Sequence, residues 1–97
     1  MYKTATDVYI SAAGHLLEAV DDRNYYSGTV EWCDDDTEYA LTVSAVVYRE
    51  WADMPEGRQS VVCDMVPVWW EFHTTVSGEE VLNDFSFNEL RRCIRHS

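Results

Sequence analysis

Three groups of side chains in this sequence are of types that could do chemistry. The first is Asp34-Asp35-Asp36, with Glu38 two residues on. Such a run offers the oxygen ligands that a hard cation like calcium takes. It lacks the spaced Asp/Asn pattern, the central Gly and the distant Glu of an EF-hand loop. The run therefore reads as a solvated hairpin tip, in which one or two Asp side chains bond their own backbone. A third carboxylate is surplus to the turn. It would steer a basic partner toward the tip.

The second group is Asp64, Glu71 and His73. Asp64 lies among Val62, Cys63, Met65 and Val66, and a desolvated carboxyl of that kind has the raised pKa of a general acid. Glu71 and His73 alternate onto one strand face, a usable spacing for a metal or for acid/base work. No nucleophile, phosphate loop or third ligand accompanies them. Asp64 reads as an outward carboxylate at a bulge, or as one bonded to Arg49 or Arg58 across a hairpin. His15, His73 and His96 are scattered, and Cys33, Cys63 and Cys93 form no close pair, whereas zinc needs about four ligands. No catalytic residue, cofactor or metal site is expected. The three cysteines read as reduced side chains of a cytoplasmic protein.

The third group is Trp69-Trp70. Adjacent strand residues face opposite ways, so both rings cannot enter one core layer. One of them must appear on the other face of its sheet. Trp69 there, with Val46, Tyr48 and Met65, would form an apolar patch of the residue types enriched in interface cores.

The elements that position these groups follow from periodicity. Thr4 to Val20 has apolar residues at spacings of three and four, which predicts a helix. Thr4 and Asp7 resemble a capping box. Gly14 falls on the polar side of that helix with no packing reason. Tyr25 to Cys33 reads as a strand, with Gly28 as a bulge or a twist at its start. Glu38 to Trp51 is the longest β-type stretch. Tyr39, Leu41, Val43, Ala45 and Val47 share its core face, and Ala40, Thr42, Ser44, Val46 and Tyr48 share the other. Met54-Pro55-Glu56-Gly57 predicts a turn. Gln59 to Val76 reads as an edge strand or a bulged one, because Pro67 cannot donate to a ladder. Its core set would be Val62, Val66, Val68, Trp70 and Phe72, and Met65 would face outward with Trp69. A bulge near Pro67 would alter that assignment. Ser77 to Glu80 reads as a turn, and Val81 to Phe85 fits no single element. Ser86 and Glu89 form a capping box for a last helix, with Phe85 and Leu90 as its hydrophobic staple.

The expected fold is thus α+β in one domain, residues 1–97: a three-stranded antiparallel meander with both terminal helices on one face. The 97 residues allow one two-layer core, and 46% hydrophobic composition is ordinary for a folded domain. No apolar run approaches the roughly 20 residues that span a bilayer. The start of the chain lacks the basic-then-apolar pattern of a signal peptide. Eighteen acidic against seven basic residues give a net charge of -11. That field disfavours direct binding to nucleic acid or anionic membranes and suits a basic protein partner.

The leading functional expectation is a small, acidic, non-enzymatic interaction domain. It would bind a partner, or a second copy as a homodimer, through the open sheet face around Val46, Tyr48, Met65 and Trp69, with Asp34, Asp35 and Asp36 steering. Two other classes fit less of the sequence. One is a nucleic-acid mimic that occupies the phosphate groove of a DNA- or RNA-binding protein. The other is a small enzyme or ligand-binding domain with a pocket near Asp64, Glu71 and His73.

Overall fold

The computed structural model describes residues 2–95, so His96 lies outside the described residues. The elements are α1 (Thr6–Ala19), β1 (Tyr25–Asp34), β2 (Thr37–Met54), β3 (Gly57–Val76), β4 (Glu79–Val81) and α2 (Phe87–Arg95). The α+β architecture agrees with the sequence pattern, but the antiparallel sheet has four strands rather than three, in the order β1-β2-β3-β4. The added strand is Glu79–Val81, which pairs with Thr74 to Val76. Ser77 and Gly78, with φ of 52° and 85°, make the turn before it.

β2 alternates as expected. Tyr39, Leu41, Val43, Ala45 and Val47 are all buried. They meet Val8, Tyr9, Ala12, Ala13 and Leu16 from α1 and Phe87, Leu90 and Ile94 from α2 in one core. Aromatic rings run through it: Phe72 stacks on Phe85 at 4.1 Å and on Tyr39 at 6.0 Å. The Tyr2 and Tyr39 hydroxyls share a 2.6 Å hydrogen bond. Burial is the main reason the Tyr39 hydroxyl is held far above the usual phenol range, so it stays protonated.

β3 departs from the expected alternation, and the ladder gives the reason. Opposite Ser44 and Ala45 stand Trp69 and Pro67, with Val68 left over. Opposite Tyr48 and Arg49 stand Asp64 and Val62, with Cys63 left over. Each extra residue is a β-bulge and reverses the alternation. Between the bulges Met65 turns into the core, opposite Val47. Val66 lies opposite Val46, on the other face, and Val68 stands exposed at its bulge. The two bulges also suit the shape. A straight strand of this length would run about 60 Å, yet the molecule is 46 Å in its longest dimension. The bulge expected at Gly28 is absent, and the β1–β2 register is continuous. Gly28 instead sits under its neighbour Tyr26, whose hydroxyl oxygen would lie 2.8 Å from an added Cβ.

Both helix starts differ in detail from the sequence reading. The N-cap of α1 is Ala5, with no side-chain cap. Thr4 is engaged elsewhere: its N–H donates to Asp84 Oδ1 at 2.6 Å. For α2, the Ser86 carbonyl accepts from Glu89 and Leu90 as a cap should, and Phe85 and Leu90 are buried as a staple requires. The Ser86 N–H, however, donates to the Tyr9 hydroxyl of α1 at 3.0 Å. A tertiary acceptor has taken the place of Glu89, whose carboxylate pairs with Arg92.

Gly14 borders an apolar groove of about 570 Å³ between the helices, with Ile10, Leu17 and Cys93 also on its wall. Nothing lies within 4 Å of a Cβ added there. Gly14→Ala should therefore stabilise the fold by about 0.5–1 kcal/mol, from the helix preference of Ala over Gly. A raised urea midpoint at unchanged slope is the expected observation.

Candidate functional site: the open face of the sheet

The face of the sheet away from the helices is built in rows set by the register. One row is Tyr25, Val46 and Val66; the next is Ser27, Ser44 and Trp69. Tyr48 follows Val46 along β2, opposite Asp64. These rows make an apolar and aromatic end. Trp69 is 52% exposed, Tyr48 51% and Tyr25 47%. Val46 is half-buried among them. The middle of the face carries hydroxyls that bond across the ladder, Ser27 to Ser44 at 2.9 Å and Thr29 to Thr42 at 2.8 Å. The far end is acidic, with Glu31, Glu38, Glu71 and Glu80 in neighbouring rows.

Met65 is the correction to the expected patch. It is 0% exposed and belongs to the core, because the bulge at Val68 reverses the alternation between it and Trp69. Its place beside Val46 is taken by Val66. Tyr25, absent from the expected set, joins the patch. Its position was readable: it alternates with Thr29 and Glu31, both outward.

Asp34, Asp35 and Asp36 are exposed at the β1–β2 hairpin, where Asp35 has φ 53°. No group of three or more His, Cys, Asp or Glu among the described residues is arranged to hold a metal ion.

The structure does not bring Asp64, Glu71 and His73 into one pocket. Asp64 lies opposite Tyr48 and Glu71 opposite Thr42, six residues or about 20 Å apart along β2. Asp64 is not bonded to Arg49 or Arg58. Its partner is Arg91 of α2, which donates through Nε at 3.1 Å and Nη2 at 2.7 Å. That bidentate contact is the main reason the Asp64 carboxyl is held below the usual carboxylate range. This is the opposite of a general acid poised by burial. Arg49 donates to the carbonyls of Asp21 and Arg23 in the α1–β1 loop. Arg58 lies over the Trp51 ring at 5.8 Å. His73 sits between Glu71 at 3.1 Å and Glu80 at 2.9 Å, and these carboxylates, Glu71 first, raise its pKa. The trio is solvent-exposed and ties β3 to β4.

The open face is thus a surface with an aromatic end and an acidic end. It can cover a partner's apolar surface and attract its cations. No protein-family model matches this chain, and neither a curated protein nor a solved structure does.

Proposed function

We propose that this chain is a non-enzymatic protein-interaction domain that docks a basic protein partner on the open face of its sheet. The observation that carries the reading is the exposed aromatic cluster of Tyr25, Tyr48 and Trp69 around Val46. Tyr and Trp supply large contact area at low entropic cost and are the residues most often found as binding hot spots. The acidic end and the Asp34–Asp36 tip supply long-range attraction. Charge also favours a heterologous partner over a second copy, since each chain carries -11.

The test is capture on immobilised protein, wild type against Tyr48→Ala/Trp69→Ala, followed by affinity measurement on any partner found. The double variant should keep its fold and bind at least about 30-fold more weakly, the loss of a typical hot spot. Replacing Asp34, Asp35 and Asp36 by Asn should slow association at low salt and leave dissociation unchanged. Equal affinity of the aromatic variant for the partner would overturn the reading.

A further inference from the structure

The sheet has two long edges, and they are finished differently. Beyond β4, the free edge of β3 is interrupted by the two bulges and by Pro67, which has no N–H. Bulges and prolines are the means by which proteins block strand addition. β1 has neither. It runs for 10 residues in unbroken register, without Pro, Lys or Arg. Among the described residues β2 is its only partner strand, so the outward N–H and C=O groups of β1 form a ready ladder.

Charge selects what would complete that ladder. Glu31 lies within β1, and Asp34, Asp35 and Asp36 lie at its end. Asp21 and Asp22 precede its start, and the neighbouring Arg23 is held by Asp21 at 3.5 Å. A second copy added with two-fold symmetry would run antiparallel. It would set Asp34–Asp36 of each chain against Asp21 and Asp22 of the other. A strand rich in Lys or Arg would instead meet carboxylates at both ends of β1, Asp21 and Asp22 before its start and Glu31 with Asp34–Asp36 toward its end. We infer that the edge of β1 receives an extended basic peptide segment as an additional antiparallel or parallel strand. The inference rests on reading the chain as an interaction domain, but it uses a surface distinct from the open face.

The test uses the whole protein and a synthetic decapeptide of alternating Lys and Thr, alongside the same peptide N-methylated at every residue. The two peptides carry equal charge, but only the first has N–H groups to donate to a ladder on either of its edges. Expected are saturable binding, amide shift changes confined to Tyr25 to Asp34 and the residues beside them, and at least about tenfold weaker binding of the N-methylated peptide, through loss of its ladder hydrogen bonds. Trp69→Ala should leave this binding unchanged. Equal affinity of the two peptides would mean attraction by charge alone and would overturn the edge proposal. So would absence of binding. Shifts at Tyr48 and Trp69 in place of β1 would overturn it while leaving the open-face reading intact. Failure of the Tyr48/Trp69 variant to lose a captured partner would do the converse.

Discussion

Met65→Ala should destabilise the protein by about 2–4 kcal/mol, while Trp69→Ala should cost well under half as much. Met65 is fully buried opposite Val47, and truncation would leave a cavity that the surrounding sheet and helices fill only in part. Trp69, half-exposed on the other face, leaves no such cavity. The contrast is diagnostic because simple alternation from Trp69 puts both side chains outward. Urea denaturation of the two variants, with slopes compared, separates the cases. A Met65→Ala midpoint close to wild type would mean that the bulge at Val68 is absent and that the open face is made of different residues.

The second large effect concerns Arg91. Its contact with Asp64 is partly shielded, with side-chain exposures of 26% and 19%. Arg91→Met keeps most of the packing but leaves the Asp64 carboxylate without its strongest partner. A loss of about 1–3 kcal/mol is expected at neutral pH. The pH dependence gives the sign. Arg91 depresses the folded-state pKa of Asp64 below its ordinary 3.8, so the contact stabilises the fold above that value. The stabilisation is lost as pH falls through the depressed folded-state pKa. The gap between wild type and Arg91→Met should therefore be full near pH 7 and close as pH falls past the ordinary 3.8 and through the lowered folded-state pKa. Asp84 also has a lowered pKa, through its bond to the Thr4 backbone, but this is common to both proteins and cancels. A gap that stays constant with pH would show that Arg91 acts through packing alone.

The fold was legible where one element's own period decides its faces. The Tyr39 to Val47 alternation identifies the core face of β2, and Phe85, Ser86 and Leu90 mark the start of α2. The sequence is silent where partners across the chain decide. Pro67 signals one irregularity in β3. Nothing at Cys63 announces the other, because a bulge there is set by the ladder with β2. Those two extra residues moved Met65 into the core and Val66 out of it. The cap of α2 shows the same limit: Glu89 has the right spacing to reach the Ser86 N–H, but Tyr9, 77 residues away in sequence, provides the acceptor. β4 escaped notice because three residues, Glu79 to Val81, carry too little pattern to register as a strand. Of the candidate site, Val46, Tyr48 and Trp69 were legible from alternation alone. Tyr25 was equally so, but only if the whole outward set of β1 is taken as part of one surface with β2.

The chain's open face is held to be free for a basic partner and unused by a second copy. Solution mass by light scattering on a sizing column, at low and high salt, tests this most directly. A monomer near 11.3 kDa is expected at low salt, where self-repulsion of the acidic chains is least screened. A dimer that persists at every salt concentration, and that Tyr48→Ala/Trp69→Ala dissociates, would contradict it. The aromatic face would then be covered by the chain's own second copy.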